Sequence, residues 1–269
     1  MALHAGCRVR AALLPATAGQ GIVFRRSDLG GTQIPARYDR VRETRLGTVI
    51  SEGPASVGVI EHVMAAIFGA GIDDLIVSLD GPEPPILDGD ALCWLELLDQ
   101  AGVAEQTGTR LALRLLRPVE VVRGDASAAL VPSDLFILDF EIHFDSPVVG
   151  TQHLVWQFSP GTFRHDIAPA RTFGFTHELE ALRAAGLARG ASLANTLAIG
   201  DSCLVNPGKV RFPDEFVRHK ILDAMGDLAL AGAAFIARFE GRRSGHALNN
   251  ALVRAVFAEA ENYEMVELS

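Results

Sequence analysis

The sequence predicts an α+β chain built as two similar domains from an internal duplication, each a sheet layered on helices, with a cleft at the domain interface. Three observations carry this expectation. Two blocks of helix, strand and helix recur far apart, one opening near Glu61-His62 and one near His219. Short strand-like segments precede each block. In Phe136–Phe144, finally, the apolar Phe136, Leu138, Phe140, Ile142 and Phe144 alternate with the polar Asp139, Glu141 and His143, the period of a strand with one buried face.

In chain order, Arg8–Leu14, Ile22–Arg25 and Gly47–Ile50 read as strands. Glu61–Gly69 reads as a helix because Ile60, Val63, Met64, Ile67 and Phe68 recur at helical spacing. A strand at Leu75–Leu79 and a helix at about Ala91–Ala101 complete a first domain, residues 1–107. The second domain, 108–269, follows a junction near Glu105–Gly108. Its expected strands are Arg110–Leu116, Val119–Arg123 and Phe136–Phe144. A βα insertion is expected at about 173–199, around the amphipathic segment His177–Ala185. Its Phe173, Phe175, Leu179, Leu182 and Leu187 exceed what a surface loop needs, which fits ordinary packing or an apolar channel for a chain-like ligand. A helix opening at His219, a strand at Ala234–Phe239 and a helix at His246–Ala260 close the chain.

Bulk properties exclude several classes. A chain of 269 residues with 49% hydrophobic and 21% charged side chains has the make-up of a soluble enzyme. No stretch approaches the ~18 apolar residues of a membrane span, so an integral membrane protein is not expected. The apolar run Ala11–Leu14 is too short for a signal peptide. Cys7, Cys93 and Cys203 form no Cys-x-x-Cys pair, which points to a reducing cytoplasm. A formal charge of −9 argues against nucleic acid, although a small anionic substrate needs only a local basic pocket. Neither Gly-x-Gly-x-x-Gly nor a P-loop is present, and a monomer is expected.

The chemistry concentrates at His219 and Asp223. Four residues apart on a helix, they share one face, while Val217, Ile221, Ala224, Met225 and Leu228 fall opposite. Such a pair is either a surface salt bridge or two metal ligands. Catalytic zinc needs three protein ligands and an open position, and His62 can be the third. Glu61 beside it can take a proton from an activated water. His246, as imidazolium, can stabilise an oxyanion and protonate a leaving amine, with Asp227 holding it charged. Lys220, one of only two lysines, lies on the same stripe. Each also has a plainer reading, with Glu61-His62 on the wet side of a helix and His246 at a helix start. His143, His153, His165 and His177 read as exposed or structural.

Glu61-His62, Pro85-Ile86-Leu87-Asp88-Gly89, Ala170-Arg171-Thr172-Phe173-Gly174-Phe175, Val217 through Asp227, and Ser244-Gly245-His246-Ala247-Leu248-Asn249 occur in this order. Together they resemble the zinc-dependent UDP-3-O-acyl-N-acetylglucosamine deacetylases of lipid A biosynthesis in Gram-negative bacteria. The resemblance covers nearly the whole chain. It implies two similar α+β domains with zinc between them, held by His62, His219 and Asp223; iron(II) accepts the same donors. It implies Glu61 as general base, His246 as general acid supported by Asp227, Thr172 on the tetrahedral oxyanion, and Lys220 near the diphosphate or the attacking water. It also implies that the insertion is the acyl passage, with Phe173, Leu179 and Leu187 on the substrate.

Two departures accompany the resemblance. The family has a further strand before Leu3-His4-Ala5-Gly6, so the first domain is expected to lack its usual first strand. Ala126 stands where the family often has a nucleotide-contacting lysine. Two other readings fit the same residues: a non-catalytic paralogue binding a nucleotide-sugar or acyl ligand, and an amidohydrolase acting on another N-acyl sugar.

Overall fold

The computed structural model describes residues 1–268. The first half opens with β1 (Ala11–Pro15), β2 (Ile22–Arg26) and β3 (Thr32–Pro35), then a small meander of β4 (Val41–Glu43), β5 (Val49–Glu52) and β6 (Ala55–Val57). It continues through α1 (Glu61–Gly69), β7 (Leu75–Leu79) and α2 (Leu92–Ala101). The main sheet has the order β1-β7-β2-β3, with β7 parallel to β2 and the other pairs antiparallel.

The second half runs β8 (Leu111–Leu115), β9 (Val119–Arg123), β10 (Ala126–Val131), β11 (Ile137–His143) and β12 (Thr151–Gln157). A capped turn, α3 (Pro160–Thr162), leads to β13 (Phe173–Phe175), α4 (Leu179–Ala184) and β14 (Leu197–Ile199). Then come α5 (Glu215–Leu228), β15 (Ala234–Ile236), β16 (Arg238–Arg242), α6 (His246–Ala258) and β17 (Tyr263–Glu267). The large sheet is β12-β11-β16-β10-β9. Within it, β10-β16-β11-β12 repeats the order and strand senses of β1-β7-β2-β3. In both, one helix precedes the parallel strand and another follows it. Buried apolar side chains form one core cluster running through both halves.

The expected elements have counterparts, further short strands accompany them, and three differences are informative. Ala234–Phe239 is two strands: β15 pairs with β8, and β16 with β10 and β11, the chain changing sheets at Ala237. Apolar alternation marks a strand but does not say which neighbour receives its hydrogen bonds. The helix carrying His219 opens at Glu215, a turn earlier than expected. Asp139, on the nominally wet face of β11, is buried, because His153, Arg238 and Arg242 all hydrogen-bond to its carboxylate. Burial alone would raise its pKa, but those partners bring it down to about 2.

One further feature bears on function. The polar stripe of α5 is enclosed: twelve of its fourteen residues are buried, His219, Asp223 and Asp227 among them. Helix α1, with eight of nine residues buried, lies across it. Gly226 makes the approach possible, since a Cβ there would overlap the Glu61 carbonyl. Gly69, at the other end of α1, leaves room for the Phe163 ring in the same way. So α1 and α5 pack nearly backbone to backbone, each presenting its histidine to the other.

Candidate metal centre

His62 from α1 and His219 from α5 stand edge to face, ring centroids 5.0 Å apart. Asp223, one turn beyond His219, places Oδ1 at 3.3 Å from His219 Nε2 and 3.7 Å from His62 Nε2. One donor atom from each of the three lies within 4.8 Å of the others, and all three residues are buried. His219 Nδ1 lies 3.0 Å from the Ala170 carbonyl, which fixes its proton there and leaves the Nε2 lone pair toward Asp223. Asp223 Oδ2 is taken by the Lys220 ammonium at 2.7 Å, so only Oδ1 faces the histidines.

The donor set fits a divalent cation. Burial lowers the pKa of both histidines, that of His62 to about 3, so both are neutral ligands at physiological pH. Burial opposes ionisation of Asp223, yet the Lys220 ammonium holds its carboxyl well below the usual range. His62 Nδ1 is buried with no hydrogen-bond partner among the described residues, and its Nε2 is too far from Asp223 for a hydrogen bond. Two neutral imidazoles and a carboxylate oxygen converging without satisfying one another are satisfied together by a cation between them.

Around this triad sit a carboxyl and an imidazole with shifted pKa values. Burial pushes the Glu61 carboxyl up to about 7, and its Oε2 accepts from the Thr48 amide at 2.9 Å. His246 opens α6 with Nδ1 2.9 Å from Asp227 Oδ2. Burial disfavours the imidazolium, but the Asp227 and Glu61 charges outweigh it and raise the His246 pKa to about 9. The ring is therefore a cation at neutral pH. Asn249, one turn along α6, donates to the same Asp227 oxygen at 2.9 Å.

Thr172 sits where the backbone is held from both sides, its amide donating to Gly89 and its carbonyl accepting from Leu197. Gly89 is required there because a Cβ would run into the Asn195 carbonyl. Phe173 packs its ring on Phe144, Phe216 and His219. Leu187 lines a cavity of ≈ 170 Å³ together with His4, Leu46 and Gly47. Leu179, at the start of α4, is half-buried. The insertion is a β13-α4-β14 unit with its strands parallel. Ala126 begins β10 beside an ion pair between Asp125 and Arg243.

Several supporting groups have no sequence signal. Glu215 is wholly buried and accepts from Arg171 Nε at 2.8 Å and from the Arg171 amide at 3.1 Å. It thereby clamps the segment that carries the Ala170 carbonyl and Thr172. Thr48 lies far from any motif, and the Ala170 carbonyl is a backbone atom. Asn249 alone was legible, one helical turn from His246.

Among the described residues, four non-glycine residues have positive φ: Val59, Leu87, Ala188 and Arg243. Val59 precedes Glu61-His62, Leu87 precedes Gly89, and Arg243 precedes His246. Strained backbone held next to reacting groups is a mark of functional sites.

Fold and donor set together point to a class, an α+β metalloenzyme in which a candidate metal triad is flanked by a buried carboxyl and a carboxylate-held imidazole. Comparison with known proteins makes the class particular. A family model described as "LpxC: UDP-3-O-acyl N-acetylglycosamine deacetylase" matches residues 1–258. The UDP-3-O-acyl-N-acetylglucosamine deacetylase of Phenylobacterium zucineum is 47% identical over 266 residues, covering 98% of this chain and 91% of the relative. Proteins of the same name from Nitratiruptor and Neisseria gonorrhoeae are 44% and 43% identical, each over 99% of this chain and 89% of the relative. The chain belongs to the UDP-3-O-acyl-N-acetylglucosamine deacetylase family.

Proposed function

We propose that the protein hydrolyses the acetamide of UDP-3-O-acyl-N-acetylglucosamine, releasing acetate, as a step of lipid A biosynthesis. The observation that carries this is the joint presence, in one buried cleft, of three ligand residues, a carboxylate poised near neutrality and an imidazolium. A protein that merely binds its ligand has no need of the last two.

His62, His219 and Asp223 hold the metal. Zinc is the ion that a two-histidine, one-carboxylate set with an open position suits, and iron(II) accepts the same donors. A divalent ion there supplies Lewis acidity to water and to the amide carbonyl. Glu61 takes a proton from the attacking water. His246, kept charged by Asp227, offsets the negative charge growing on the carbonyl oxygen and passes its proton to the departing sugar nitrogen as the C–N bond breaks. Thr172 lies on the oxyanion side, and Lys220 sits beside Asp223 where it adds positive charge. Phe173, Leu179 and Leu187 line the path of the acyl chain.

The chain acts as two duplicated domains, 1–107 and 108–269 with the insertion at about 173–199. The matching strand order of the two sheets supports this division, and it sets His62 in one domain and His219 and Asp223 in the other. All these groups come from one chain, so a monomer suffices. Among the described residues no helix is long and apolar enough to cross a membrane, and all three cysteines are free thiols, which suits the cytoplasm.

The test is Asp223→Ala. Bound zinc, measured by elemental analysis, should fall from about one per chain to near zero, and acetate release from the UDP-sugar should vanish with it. Undiminished turnover in the variant would remove the proposal.

A further inference from the structure

Thr48 is buried in the segment between β4 and β5, and among the described residues it is the one that hydrogen-bonds to both Glu61 and Asp227. Its amide donates to Glu61 Oε2 at 2.9 Å, and its hydroxyl donates to Asp227 Oδ1 at 2.5 Å. Glu61 lies on α1 and Asp227 on α5, so Thr48 joins the base to the group that holds the acid. Resting on the deacetylase reading, we propose that the Thr48 hydroxyl is a positioning group for His246, acting through Asp227.

The argument is one of donors and acceptors. Asp227 Oδ2 is shared by His246 Nδ1 and Asn249 Nδ2, and Oδ1 receives only the Thr48 hydroxyl among the described side chains. Asn249 is itself fixed, its Oδ1 accepting from the Ser244 hydroxyl at 2.7 Å. With both oxygens engaged, the carboxylate plane cannot turn, and the imidazole that leans on Oδ2 keeps its direction. Removing the hydroxyl leaves a buried charged oxygen unpaired, and the nearest remaining donors are those on Oδ2. The carboxylate then rotates to share them, and His246 turns with it. The Thr48 amide is unaffected by this change, so Glu61 keeps its own partner.

The pair Thr48→Val and Thr48→Ser separates the hydroxyl from the volume of the side chain. In Thr48→Val, kcat for acetate release should fall about 10- to 100-fold, as loss of a hydrogen bond to a charged group predicts. KM should stay within about twofold and bound metal unchanged, since neither the substrate-contacting residues nor the ligands are touched. Thr48→Ser, which keeps the hydroxyl, should recover kcat to within about threefold. In the metal-free protein, the His246 Nδ1 proton resonance should move in Thr48→Val and stay in place in Thr48→Ser. The inference is overturned by a Thr48→Val enzyme with the kcat of the parent, by equal impairment of both variants, or by an unmoved resonance. If the parent protein releases no acetate, the deacetylase reading fails by itself, and the resonance still decides whether the hydroxyl positions His246.

Discussion

At the scale of single residues, each ionisable group of the site is set in the state that the proposed reaction requires of it. His62 and His219 are kept neutral by burial, Asp223 is kept ionised by the Lys220 ammonium, and Asp227 keeps His246 charged. The His246 pKa, raised to about 9, gives a signed expectation. A general acid must be protonated, so kcat should decline as pH rises through the pKa of His246. A bound cation works against the imidazolium, so this alkaline limb should lie at or below about pH 9. In Asp227→Asn the negative charge is gone, and the limb should move to lower pH in a kcat-versus-pH profile. A limb that stays in place would assign it to some other group.

At the scale of elements, the decisive event is the meeting of α1 and α5. Apolar periodicity placed α1 and found α5 with its start one turn late, and the i, i+4 spacing of His219 and Asp223 is realised. What periodicity could not give was the burial of the polar stripe. That follows from Gly226, whose missing side chain lets the Glu61 backbone come close. Gly226→Ala should therefore cost about 1–3 kcal/mol in chemical denaturation, the range for overpacking a tight interior, and should weaken metal binding because it pushes His62 away from His219. An alanine variant with the stability and metal content of the parent would mean that the helices have slack the geometry does not show. The division of Ala234–Phe239 between two sheets belongs to the same scale, since strand partners are chosen by neighbours distant in sequence.

For the molecule as a whole, a metal held by His62, His219 and Asp223 would tie distant parts of the chain into one unit. His62 and the pair His219 and Asp223 are more than 150 residues apart in sequence, so ordering them together is a property of the folded state and is absent from the unfolded chain. Ligand binding confined to the folded state raises its stability by mass action. With zinc at about 100 times its Kd this amounts to about 2.7 kcal/mol, or about 5–10 °C in Tm for a chain of this size. Chelation should lower Tm by that amount in one transition, and Asp223→Ala should be insensitive to the chelator. A Tm independent of zinc in the parent chain would show that the triad holds no ion.

The sequence by itself determined the fold class, the positions of the main helices and strands, and the ligand and acid–base candidates, because periodicity and i, i+4 spacing are local properties of the chain. It did not reveal that Asp139 is enclosed by arginines, or that Thr48, Glu215 and the Ala170 carbonyl complete the site. Those were decided only by the tertiary structure. A hydrogen bond between Thr48 and Asp227 spans 179 positions, and no pattern within a helix or strand encodes a contact that exists only once α1 and α5 have closed on each other.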